Sequence, residues 1–166
     1  MTAADRLGTY LNGHLAGANA GVATAERLAG RIRTEPTAGT LAQLVADITS
    51  DREQLRTIIE RLGVSGHPVK HPVKEAVGRA AGEASRLVVA EVMTGSEHLT
   101  VLLEAETLAM GIHGKLALWE ALLAVVPAHP RLAEFDLAGL VARAHAQRDR
   151  VEEIRLAAVQ RSFAAA

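Results

Sequence analysis

The chain has 166 residues, of which 49% are hydrophobic, 2% are aromatic and none is cysteine. This length is typical of one domain that buries its own core, and the lack of cysteine excludes disulfides, thiolate metal sites and thiol nucleophiles. Because 18 basic residues balance 19 acidic ones to a net charge of −1, the composition argues against nucleic acid as a partner.

Helix-forming residues dominate the composition. Alanine, leucine and valine carry most of the apolar content, a mixture that favours close-packed helices over sheets. No apolar run approaches the roughly 18 residues of a membrane span, and the first residues lack the layout of a secretory signal. We therefore expect a cytoplasmic protein with no membrane partner. Lysine occurs only at Lys70, Lys74 and Lys115, and this preference for arginine indicates a bacterial genome rich in GC.

Two helices are predicted in the first part of the chain. Residues 2–32 carry apolar or small side chains every three or four positions, which is the spacing of one helix face. A capping box that starts at Thr40 predicts a second helix over residues 40–62. Gly63 suits the left-handed residue that often follows a helix. The apolar ladder of this second helix has one interruption, Asp51.

The middle of the chain begins with two His-Pro-Val-Lys tetrapeptides at residues 67–74, whose prolines interrupt any helix. The helical period returns at residues 73–93, which we interpret as an amphipathic crossover helix. Residues 97–126 form a third bundle helix that is apolar on most of its circumference. Such a helix must be covered on several sides, so we expect a homodimer through this helix around Trp119. A last helix is predicted over residues 137–162.

The predicted layout has four long helices of similar length. Short links join the first helix to the second and the third to the fourth, whereas the link between the second and third is long enough to travel the length of a bundle. Over nearly the whole chain this layout resembles the ferritin-like superfamily. The resemblance implies an all-α fold, in which residues 1–166 form a single antiparallel four-helix bundle with a long helical crossover between helices 2 and 3.

Ferritin-like di-iron proteins hold two metals with a Glu from each of two helices and a Glu-x-x-His motif from each of the other two. No Asp or Glu of this chain has a His three residues later, so that signature is absent. At the matching places the chain has Asp51 and Glu106, with His14 where the family places a carboxylate. We therefore expect no cofactor, and iron or another divalent transition metal in an altered site is the alternative.

Asp51 needs a partner, because a carboxylate buried alone costs several kcal/mol. We favour Arg148, since a guanidinium on the inner face of the last helix would bind the carboxylate and repel a divalent cation. Imidazoles or a bound metal are the other candidates. The predicted core polar layer consists of Asp51, Arg148, His14, Glu106, His113 and His145. The alternative metal centre would use His14, Asp51, Glu106, His113 and His145.

Three functions are compatible with these residues, and they leave open whether the chain is an enzyme. The first is a ferritin-like bundle without a standard di-iron centre, with a binding or structural role. The second is an oxidoreductase or metal store with a His/carboxylate centre. The third is a carrier of an apolar small molecule, held in a cavity left by small residues of the first helix. In that helix Gly13, Gly17 and Gly21 recur every four residues, which favours close approach of another helix.

Overall fold

The computed structural model describes residues 2–33, 37–64 and 96–164. Within these ranges the chain forms helices and no strands, so the predicted all-α class is confirmed. The predicted crossover helix at residues 73–93 and the His-Pro-Val-Lys repeat at residues 67–74 lie outside the described residues.

Four long helices make up the described part of the chain. They are α1 (Ala3–Arg31), α2 (Thr37–Leu62), α3 (Glu97–Ala124) and α4 (Leu137–Phe163). Two short 3-10 helices, Val126–Ala128 and Pro130–Glu134, connect α3 to α4. None of the described helices combines the length and the apolar character that crossing a membrane requires.

The helix ends follow local capping rules. The Thr2 hydroxyl accepts from the Asp5 amide while the Asp5 carboxylate accepts from the Thr2 amide, a capping box that begins α1. Asp136 caps α4 by accepting from the Gly139 amide at 2.9 Å. Gly63 has the left-handed φ of 62° beyond α2. The start expected for α2 at residue 40 is three residues late, because the helix already begins at Thr37.

Two groups of buried apolar side chains form the core. The first apolar cluster joins the C-terminal halves of α1 and α4 to the N-terminal halves of α2 and α3, and includes Leu28, Leu44, Leu108 and Ile154. The second apolar cluster joins the opposite halves, and includes Leu11, Ile58, Leu122 and Leu140. The end of α2 and the start of α3 therefore lie in different clusters.

The apolar surface of α3 is largely covered by its own chain. Trp119 is 1% exposed, because Leu132 and Leu137, from the connection to α4 and its first turn, pack in the same cluster. The large apolar side chains of α3 that remain exposed are Met110 and Leu123, and Leu123 lies one turn after Trp119.

Candidate functional site

A buried group of four polar side chains links three helices. Asp51 of α2 is 1% exposed, and its Oδ2 accepts from Lys115 Nζ of α3 at 2.6 Å and from Gln147 Nε2 of α4 at 2.9 Å. Its Oδ1 forms an ion pair with Arg143 Nη2 of α4. Lys115 Nζ also donates to Gln147 Oε1. We call these four residues the ion cluster.

The ion cluster lies midway along the bundle, between the two apolar clusters. Asp51 is flanked on its own helix face by Ile48 of the first apolar cluster and Leu55 of the second. Arg143 and Gln147 are four residues apart and therefore share one face of α4. Because three side chains bind the Asp51 carboxylate, the free-energy cost of burying its charge is offset within the protein.

The charges of the ion cluster act on Lys115, whose side chain is 13% exposed. Burial lowers the pKa of Lys115 below its ordinary value, and the Arg143 guanidinium acts in the same direction. The Asp51 carboxylate opposes both effects. With two cations and one carboxylate, the ion cluster carries one more positive charge than negative while Lys115 is protonated.

The partner expected for Asp51 is wrong. Arg148 is half exposed and pairs with its neighbour Asp149 at 3.0 Å. The inward face of α4 at this level is the one that carries Arg143 and Gln147. Arg148 is the next residue after Gln147, and one residue rotates the helix by about 100°, so its side chain leaves that face.

The other members of the predicted polar layer lie apart from the ion cluster. Glu106 is half exposed and faces Arg155 at 3.9 Å, His113 is exposed, and His14 and His145 are partly buried. Within the described ranges no three His, Asp or Glu side chains come close enough to hold a metal ion. The five residues of the alternative metal centre are therefore not gathered at one point, and two of them, Glu106 and His113, face solvent.

The buried carboxylates do not fit a di-metal centre. Of the described residues, Asp51 and Glu104 are the acidic side chains that are buried. Glu104 Oε2 accepts from Arg31 Nε at 3.0 Å, and Arg27 lies 3.6 Å from Oε1. Both carboxylates are thus bound by cations of their own chain, and those cations would repel a divalent metal.

A pocket of about 390 Å³ lies beside the ion cluster, between α1, α2 and α3. The charged side chains of its lining are Asp51, Arg52 and Lys115, and we call Asp51 and Lys115, which belong to the ion cluster, its polar wall. Its apolar wall includes Ile48, Leu55, Leu108, Leu118 and Trp119. Five glycines complete the lining: Gly13, Gly17 and Gly21 of α1, and Gly111 and Gly114 of α3. The pocket is open to solvent on one side, where Gly13, Gly17 and Gly111 are exposed.

Among the described residues, the glycine run of α1 leaves open space. A Cβ atom built on Gly13, Gly17 or Gly21 meets no atom of residues 2–33, 37–64 or 96–164 within 4 Å. The tight packing expected from their spacing is therefore not found against the described helices. On the core side of α1 the apolar clusters stop at Leu15 and resume at Val22, and the pocket occupies this interval.

Two aromatic side chains at the more exposed part of the pocket contact each other. Tyr10 and His14 pack edge to face with ring centroids 4.6 Å apart. Burial lowers the pKa of His14, so its imidazole is uncharged at neutral pH. Burial raises the pKa of Tyr10, which keeps its hydroxyl protonated there.

Sequence reasoning missed Lys115, Arg143 and Gln147. Lys115 did carry a signal, because it is the single Lys or Arg in α3, the most apolar of the helices. Arg143 and Gln147 have no such signal, since arginine and glutamine are common on the outer faces of helices. Their inward position depends on the rotation of α4 against α2 and α3.

Comparison with protein-family models, with curated proteins and with solved structures finds no match to this chain. No residue role can therefore be transferred from another protein. The features of the described residues that bear on function are the open pocket and the ion cluster that forms its polar wall.

Proposed function

We propose that this chain is a helical bundle that binds a small, mostly apolar molecule in the pocket between α1, α2 and α3. The observation that carries the proposal is the 390 Å³ opening at mid-bundle, where glycines of α1 and α3 leave space beside the core. Pockets of about 300–1,000 Å³ with apolar walls and a few convergent polar groups are typical of small-molecule sites.

The pocket glycines have a cost that supports a role in binding. A glycine in a helix interior destabilises by roughly 0.5–1 kcal/mol relative to alanine. A Cβ at Gly17, Gly21 or Gly111 meets no atom of the described residues within 4 Å, so alanine would fit against them at each position. Space for a ligand explains why the bundle carries a smaller residue at positions that would tolerate a larger one.

We further propose the ferritin-like arrangement for the four helices. The two apolar clusters support it, because each joins opposite halves of α1 and α2 and opposite halves of α3 and α4. Such pairs run antiparallel. Since α2 ends in one cluster and α3 begins in the other, the chain must pass from one end of the bundle to the other between them, as in that superfamily.

Within this proposal the binding role requires no resident metal. The pairing of Asp51 with Lys115 and Arg143, and of Glu104 with Arg31, supports this part. The polar wall instead offers hydrogen bonds to a bound molecule. Asp51 and Lys115 would orient that molecule, and the apolar walls would supply most of its binding free energy.

We also propose a homodimer through α3, supported by the 69% exposure of Met110 on that helix. Burying this side chain against a second copy would remove apolar surface from water. Light scattering coupled to size-exclusion chromatography should give twice the mass of the chain for the wild type. Met110→Asp should reduce the measured mass to that of a single chain. A wild-type chain that is monomeric at high micromolar concentration contradicts the dimer.

The binding proposal is tested with N-phenyl-1-naphthylamine, an uncharged fluorescent probe. Trp119 is the one tryptophan of the chain and lines the pocket, so energy transfer from its indole reports binding there. Gly17→Leu should fill the pocket and abolish saturable binding. Gly30→Leu is the matched control, because Gly30 is an exposed glycine of the same helix outside the pocket. Equal probe binding by both variants, or none by the wild type, contradicts the proposal.

A further inference from the structure

Resting on the proposed function, we infer that the bound molecule carries an anionic group that accepts hydrogen bonds. A carboxylate is the chemical class that fits best, and it binds beside Lys115 at the polar wall of the pocket. The inference has two supports, the charge balance of the wall and its unused hydrogen-bonding groups.

The charge around the pocket is positive. In the ion cluster one carboxylate pairs with two cations, Lys115 and Arg143. Of these two cations, Lys115 lines the pocket. Neighbouring charges cancel in pairs: Asp47 accepts from Arg150 at 2.8 Å, and Glu53 accepts from Arg52 at 2.7 Å. An anion bound here would therefore compensate the remaining positive charge in a place with little water.

At the ion cluster the unused hydrogen-bonding groups are donors, apart from Asp51 Oδ1, whose contact is the ion pair with Arg143 Nη2. An ammonium has three N–H groups and an amide two, of which Lys115 uses two and Gln147 one within the ion cluster. Trp119 Nε1 is buried and has no hydrogen-bond partner among the described residues, and Trp119, like Lys115, lines the pocket. Arg143 Nε is also buried without such a partner, but Arg143 and Gln147 do not line the pocket.

Charge and hydrogen bonding thus favour the same head group. A carboxylate brings a negative charge and several lone pairs to Lys115. A neutral hydroxyl brings no charge, and an ammonium adds a third cation. The Trp119 indole ring, which is 1% exposed, and the leucines that line the pocket would contact the apolar part of the bound molecule.

The test uses three eight-carbon probes with different head groups: octanoate, 1-octanol and octylammonium. Each of them competes with N-phenyl-1-naphthylamine for the wild-type protein at pH 7.5. The fall in N-phenyl-1-naphthylamine fluorescence measures the displacement. We expect octanoate to bind at least about tenfold more tightly than 1-octanol, because a hydrogen bond to a charged group contributes enough for that ratio. Octylammonium should be the weakest of the three.

A variant locates the head group. Lys115→Met should reduce octanoate affinity about tenfold or more and leave the affinities of 1-octanol and N-phenyl-1-naphthylamine within about twofold. Arg148→Met is the control, because Arg148 is a half-exposed cation of the bundle that faces away from the pocket. If Lys115→Met does not fold, the order of the affinities of the three probes for the wild type tests the inference by itself.

The outcomes separate the two proposals. Equal affinities for octanoate and 1-octanol, or a preference for octylammonium, overturn the inference and leave the apolar pocket in place. An octanoate preference that survives in Lys115→Met overturns it as well. Failure of all three probes to displace N-phenyl-1-naphthylamine, or failure of that probe to bind, counts against the proposed function itself.

Discussion

Lys115 of α3 donates to Asp51 of α2 at 2.6 Å, across a part of the bundle where the two side chains are 13% and 1% exposed. The pair joins helices that contribute few other contacts to each other, since α1 and α4 lie against both of them. Ion pairs of this kind stabilise little relative to apolar side chains, but removing one partner leaves a buried charge unanswered.

Replacing Asp51 should destabilise the fold strongly. Asp51→Leu leaves Lys115 and Arg143 facing each other without a carboxylate, and breaking a buried pair in this way costs about 3–5 kcal/mol. Urea unfolding followed by circular dichroism measures the change. Asp149→Leu is the control, because Asp149 is 68% exposed, and it should cost no more than about 0.5 kcal/mol. Similar losses in both variants would show that the ion cluster is not a buried unit.

The free energy of unfolding should depend on pH through Lys115. Its pKa is lower in the folded chain than the ordinary 10.5, so between the two pKa values the unfolded chain binds more protons. Stability therefore rises with pH across that window and levels off above 10.5. We expect the stability of the wild type relative to Lys115→Met to increase as the pH rises toward 10.5. The titration of Tyr10 is common to both proteins and cancels in this difference. A difference in the free energy of unfolding that stays constant with pH contradicts the lowered pKa of Lys115.

Glu104 should matter more to stability than Glu106, although the two are separated by one residue. Glu104 is 5% exposed and binds Arg31 at 3.0 Å, whereas Glu106 is 45% exposed. Glu104→Gln weakens a charged hydrogen bond between α1 and α3, and we expect a loss of about 1–3 kcal/mol. Glu106→Gln should change stability by less than about 0.5 kcal/mol. Thermal unfolding of both variants measures the two losses of stability. A larger loss for Glu106→Gln than for Glu104→Gln would contradict the burial of Glu104.

Alanine should act in opposite directions at two glycines. Gly17→Ala adds, in a helix interior, a Cβ that meets no atom within 4 Å in the part of the chain that the structure describes, so it should stabilise by about 0.5–1 kcal/mol. Gly63→Ala forces a side chain into the left-handed φ of 62° and should cost about 1–2 kcal/mol. Chemical denaturation of both variants checks the signs. A destabilising Gly17→Ala would mean that something packs against this glycine.

Several features were already determined by the sequence. The spacing of apolar residues predicted four helices, because a helix face that is buried needs a side chain every three or four positions. Asp51 was recognised as a core residue for the same reason, since it interrupts an otherwise continuous ladder on α2. Gly63 marked the end of α2 because capping depends on a few neighbouring residues and not on the rest of the fold.

The tertiary structure decided which side chains meet Asp51. Arg143, Gln147 and Arg148 are close in sequence, and a change of about 100° in the rotation of α4 selects among them. That rotation results from the packing of all four helices at once. The same packing decided the role of the glycines in α1: their spacing permits either a close helix contact or an opening, and only the distance to the neighbouring helices shows that they line a pocket.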